Sequence, residues 1–178
     1  MSSYPVPIPL HALHKAIENG IRTAMPEFHA VYSDYRRFSN VEKLPICLIE
    51  FSQVERAQDP GTSQTHVNCR FEARIVASQI DIPAGRLLAR ELALKLCNVI
   101  DRNIWENRNK GILFSGLVGA FPDGFDPDLD NHEVWRVEWE QGVIIGEPQD
   151  DYIDTAWTGE ELPTTVNACS GETIHANG

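Results

Sequence analysis

The last third of this chain has almost no basic residues. Residues 122–178 hold 1 Lys+Arg and 14 Asp+Glu, a net of −13, whereas residues 1–121 hold 14 Lys+Arg and 12 Asp+Glu, a net of +2. That imbalance argues against a direct grip on nucleic acid, because phosphate contacts need Lys and Arg. It permits a contact between the acidic part of one subunit and a more basic face of another, or a purely solubilising role. Long apolar runs are missing too, and none approaches the roughly 20 residues that span a bilayer. The opening "MSSYPVPIPLHALHK" lacks the basic start and apolar stretch of a secretory signal, so a cytoplasmic, soluble protein is expected. The four cysteines, Cys47, Cys69, Cys97 and Cys169, form no CxxC pair. In a chain that is 42% hydrophobic, reduced and partly buried thiols are expected rather than a disulfide framework.

Catalytic signatures are absent as well. There is no GxSxG, GxxxxGK[ST] or GxGxxG, and "SGLVGAF" at 115–121 lacks the lysine and the length of a phosphate loop. His11 and His14 share a helix face, but no third ligand completes a zinc spacing. Asp126, Asp128 and Asp130 alternate in "DPDLDNHE", yet Asn131 and Val137 stand where an EF-hand loop requires Gly and Glu. Ser115, Asp130 and His132 make a triad only on paper, since geometry defines one. The expectation is therefore no catalytic residue, no metal, no cofactor and no enzymatic activity.

What the chain does contain is periodicity. Leu10, Leu13, Ile17 and Ile21 mark one face of an amphipathic helix that ends near Pro26, with Gly20 as a weak point. A short strand is expected within 28–38 and a longer one at 44–55. In "HVNCRFEARIVAS" Val67, Cys69, Phe71, Ala73 and Ile75 alternate with Asn68, Arg70, Glu72 and Arg74, the period of a half-buried strand. Loop 56–65, with its Asp-Pro-Gly core, joins these two into an antiparallel hairpin. A second helix is predicted from 83 to about 103, with Leu88, Leu92, Leu96, Val99 and Asn103 on one face. "ILFSGLVGAF" reads as a strand with glycine irregularities, and "NHEVWRVEWEQGVII", 131–145, as the last long strand. There Trp135, Val137 and Trp139 alternate with Arg136, Glu138 and Glu140. If this strand shares a sheet with 66–78, the tryptophans pack under the helices and the charges line the other face.

The order of elements predicts an α+β fold: a mostly antiparallel sheet with two main helices on one face. Residues 1–147 form one domain, and 148–178 an acidic C-terminal extension whose end is expected to be mobile.

The stretch from "HVNCRFEARIVAS" through "AGRLLARELALKLCNVI" to "HEVWRVEWEQGVIIGE" resembles the tail terminator, or tail completion, proteins of long-tailed bacteriophages and related prophage minor tail proteins. The resemblance covers about half the chain. It implies a structural protein without catalysis: a homo-oligomeric ring, commonly a hexamer, that caps the head-proximal end of the tail tube and mediates head–tail joining. The implied partners are other copies of the chain, the tail tube protein and head–tail connector proteins, with DNA as a passenger that does not stick. The implied location is the host cytoplasm during assembly and then the virion. A ring needs two unlike patches on each subunit, and the charge asymmetry supplies them. Arg70, Glu72, Arg74, Arg136, Glu138 and Glu140 on the strand faces, with Asp123, Asp126, Asp128 and Asp130 in the acidic loop, are the candidate subunit or tube contacts. Competing readings are a head–tail connector or other minor tail subunit, a small-molecule-binding regulatory domain, and a minimal hydrolase with an unrecognised site.

Overall fold

A computed structural model describes residues 7–33, 43–58, 64–78, 82–107, 110–124 and 132–146. The expected extension at 148–178 lies outside them, as do Asp126, Asp128, Asp130 and Cys169. The elements run α1 (Leu10–Ala24), β1 (Ala30–Tyr32), β2 (Ile46–Arg56), β3 (Thr65–Ser78), α2 (Ile82–Ile100), β4 (Ile112–Pro122) and β5 (His132–Ile145). The fold is α+β, with two helices packed against a five-stranded, mostly antiparallel sheet. Strand order is β1-β2-β3-β5-β4, and the β1–β2 pair is parallel. No described helix is long and apolar enough to cross a membrane.

β3 and β5 are direct neighbours, in register from Thr65↔Ile145 to Ser78↔His132. Alternation therefore sorts both strands the same way, with Phe71, Ala73 and Ile75 beside Trp139, Val137 and Trp135 on one face. Arg70, Glu72 and Arg74 sit beside Glu140, Glu138 and Arg136 on the other. The helices cover the first face. α1 buries Leu13, Ile17 and Ile21 there, and α2 buries Ala89, Leu92, Ala93, Leu96 and Ile100. Trp139 is fully buried and stacks on Phe71 with ring centroids 5.4 Å apart. Phe51 and His14 continue that aromatic cluster. His14 is thus a packing residue whose Nδ1 lies 3.0 Å from the Ser33 carbonyl, and His11 is exposed.

One expected helix face is corrected. Leu88 is 39% exposed, while Leu92 and Leu96 of the expected face are buried and Ala89, Ala93 and Ile100 widen the buried stripe. α2 carries leucine on several sides, so leucine spacing alone does not mark the core face. The small Ala89 and Ala93 are buried beside Leu92 and Leu96. The helix also ends at Ile100 rather than 103.

Glu18 ties α1 to the start of the sheet. Its carboxylate accepts hydrogen bonds from Ser33 Oγ at 2.7 Å and from Arg22 and Lys15, while Arg22 also donates to the Val31 carbonyl at 2.9 Å. Burial alone would raise the Glu18 pKa, but the bonds from Ser33, Arg22 and Lys15 outweigh it and hold the group down at about 2.

Candidate interaction surfaces

The charged face is an ion-pair network on the exposed side of the sheet. Arg74 meets Glu50 at 2.5 Å, Asp123 at 2.9 Å and Glu72 at 3.1 Å. Arg136 meets Glu138 at 2.9 Å and Glu72 at 3.7 Å, and Arg70 meets Glu138 at 3.4 Å. The structure thus brings seven of the ten sequence-chosen contact residues together: Arg70, Glu72, Arg74, Asp123, Arg136, Glu138 and Glu140, which sits opposite Arg70 in register. With Glu50 the face has three arginines against five carboxylates, so it is acidic on balance. Half-buried charges that satisfy one another stiffen a surface more than they attract a partner, since each new contact must displace an existing one. Above it the face turns apolar, where Ile46, Leu48, Val76 and Val134 form a second small cluster.

Sequence reasoning missed a second surface, the outer side of β4. β5 pairs with one side of this strand, and among the described residues no strand pairs with the other. β4 has eleven residues, and "ILFSGLVGAFP" contains no charge. Leu113, Phe114, Leu117, Val118 and Phe121 are all exposed, Phe114 at 70%. Edge strands are usually short, charged or covered, because open backbone groups recruit other strands. β4 has two register irregularities, at Ile112/Ser115 and Leu117/Gly119, and Pro122 at its end, but no charge guards it. The sequence reads as a strand with glycine irregularities, and the strand order reveals that it is an edge. The signal available in the sequence was the missing alternation.

The loop after α2 fixes where β4 begins. Arg102, Trp105 and Glu106 take left-handed backbone angles, with φ of 57°, 51° and 59°, a conformation that costs non-glycine residues energy. Hydrogen bonds hold it. Arg102 N donates to the Ser115 carbonyl at 2.9 Å, Ser115 N to the Asn103 carbonyl at 3.0 Å, and Asn103 N to Ser115 Oγ at 2.9 Å. The Ser115 hydroxyl in turn donates to the Ile100 carbonyl. Trp105 Nε1 donates to Gln141 Oε1 at 2.8 Å, and Gln141 donates to the Leu113 carbonyl. Ser115 is therefore a buried clip. It pairs with Gln141, nine positions along β5 from His132, or roughly 30 Å at strand rise, so the two do not form a catalytic pair.

Beside this loop, Ala16, Asn19, Gly20, Thr23, Asn103 and Trp105 line a groove of about 600 Å³. Burial pushes the Cys47 thiol up to about 12 and Cys69 up to about 11, so neither offers a thiolate nucleophile near neutral pH. No group of three or more metal-ligating side chains occurs among the described residues.

No protein-family model matches the chain, and no curated protein matches it. Among solved structures it is similar to the sheath/tube terminator of an extracellular contractile injection system (PVC), seen by cryo-EM in its extended state, with 15% sequence identity and a TM-score of 0.44. That match covers 81% of this chain and 59% of the other, so the chain spans less than two thirds of that terminator's length.

Proposed function

We propose that this chain is a structural tail protein of a phage or prophage, a ring-forming terminator that caps the head-proximal end of a tail tube and mediates head–tail joining. The observation that carries this reading is the uncharged, open β4 edge, in a domain whose 66–146 region resembles the tail terminators. A strand with no neighbour on its outer side among the described residues fits a protein made to be covered by assembly. The acidic balance of the ion-paired face suits a wall past which DNA moves without sticking, because phosphates are repelled. The partners are other copies of the chain, hexameric in the finished ring, then the tube and the connector. Arg70, Glu72, Arg74, Asp123, Asp126, Asp128, Asp130, Arg136, Glu138 and Glu140 remain the proposed charged contacts.

Light scattering coupled to size exclusion, over a range of concentration and salt and with or without tail tubes, tests the reading. A sharp hexamer-sized species, or a monomer recruited to tube ends, is expected. A monomer indifferent to tubes at every concentration sinks it.

The groove beside Trp105 favours a second reading, a small-ligand domain. Its volume falls within the range of ligand pockets, and Asn19, Thr23 and Asn103 add polar groups to its wall. A metabolite panel in a thermal-shift assay separates the two, since a ligand bound only by the folded state raises the melting temperature.

A further inference from the structure

Among the described residues two long stretches of strand lack a neighbour on one side, and they differ. One is β4. The other is the far half of β2. β1 pairs with β2 at Ile46, Cys47 and Leu48, and beyond that point no described strand lies against the outer side of β2. Ser52, Gln53, Val54, Glu55 and Arg56 are all exposed. Resting on the ring reading, we infer that β4 of one copy adds to the open half of β2 of the next copy, making a continuous sheet around the ring.

Four features of the chain support this pairing. The first is level. Phe51, Phe71, Trp139 and Leu117 lie in one row across the sheet, all on the helix-covered side. The row ends in a half-buried Phe51 at one edge and an exposed Leu117 at the other. Pairing the edges sets Leu117 beside Phe51 of the next copy and carries the apolar row across the joint. The second is length. Arg56, Val67, Val143 and Ile112 form another row, and Glu50, Glu72, Glu138 and Gly119 a third. The segment from Ile112 to Gly119 is therefore level with the open stretch from Glu50 to Arg56.

The third is polarity. β2 is antiparallel to β3, β3 to β5 and β5 to β4, so β4 runs opposite to β2. Rotation about an axis along the strands keeps strand direction, so adjacent copies in such a ring meet as an antiparallel pair, which twists and hydrogen-bonds like the rest of the sheet. The fourth is charge. On the ion-paired face β4 presents Gly116 and Gly119 opposite Glu140 and Glu138. A Cβ on Gly116 would meet nothing within 4 Å. By level, Gln53 of the next copy comes against the bare backbone of Gly116 and Glu50 against Gly119 beside the Phe121 ring, and neither meets a carboxylate, since β4 carries no charge. Because the two edges are unlike, one contact does not use up both, and the chain of contacts continues until it closes.

The test uses the full chain, with and without tail tubes. Leu117→Lys and Phe114→Lys put a charge at exposed positions on the β4 edge, and Val54→Lys does so on β2. Each is expected to abolish the ring-sized species or the recruitment to tube ends while leaving the circular dichroism spectrum and melting temperature near wild type. Two further variants, Leu117→Cys and Ser52→Cys, are made in a Cys97→Ala, Cys169→Ser background and joined by a short bis-maleimide. Mixing the two is expected to give a covalent dimer that neither gives alone. A ring that survives all three lysine variants with unchanged size overturns the edge pairing and leaves the ring reading standing. A dimer from Leu117→Cys alone overturns it in favour of a two-fold β4–β4 contact. A wild-type chain that stays monomeric with and without tubes overturns both.

Discussion

Glu18 shows how one residue joins helix to sheet. Its pKa of about 2 lies below the ordinary carboxylate value of 4.5. A carboxylate lowered on folding stabilises the native state above the unfolded pKa, and that stability is lost as pH falls toward the folded value. Stability should therefore decline between about 4.5 and about 2, and Glu18→Gln should flatten that part of the curve in acid titration followed by circular dichroism. Arg74 is the corresponding node on the charged face. Its removal leaves Glu50, Glu72 and Asp123 facing one another, so Arg74→Met is expected to cost about 1–3 kcal/mol in urea denaturation. High salt should narrow that difference, since screening relieves the carboxylate repulsion.

At the scale of elements, much of the layout was legible in the chain. The period of two in 66–78 and 132–145 showed which side chains share a face, because alternation is geometry and survives any strand order. The charged residues of 66–78 and 132–145 share one face, but their mutual pairing depends on β3 lying beside β5, which no local pattern encodes. β4 was legible as a strand and illegible as an edge for the same reason. The buried stripe of α2 was legible at Leu92 and Leu96 and missed at Leu88, because leucine appears on several sides of the helix. Gly20 read as a weak point in α1, and the structure gives its reason. A Cβ there would stand 2.8 Å from the Trp105 ring. Gly→Ala inside a helix ordinarily gains up to ~1 kcal/mol, but overpacking costs about 1–3 kcal/mol. Gly20→Ala should therefore lower the melting temperature. Gln141→Leu removes the acceptor of Trp105 Nε1 and frees the loop that clips β4. A loss of about 1–3 kcal/mol is expected, together with faster amide exchange at Asn103 and Ser115 in hydrogen-exchange measurements.

For the whole molecule, the charge distribution sets what the surface refuses. A chain of net charge −11 with three arginines locked in ion pairs on its sheet face should show no salt-dependent binding to duplex DNA. Fluorescence anisotropy of a labelled duplex across low to moderate salt checks this, and a slope of log affinity against log salt would contradict it.

The strand order also governs how the chain is made. β4 pairs with β5, and β3 pairs with β2 on one side and β5 on the other. On the ribosome β4 therefore emerges before its partner, and the place between β3 and β4 stays vacant until β5 follows. Roughly two dozen residues separate the ends of the two strands, or about one to five seconds of synthesis at ~5–20 residues per second. During that interval the uncharged, eleven-residue β4 is a nascent segment without its β5 partner, so holdase chaperones and slower or cooler expression should raise the soluble yield.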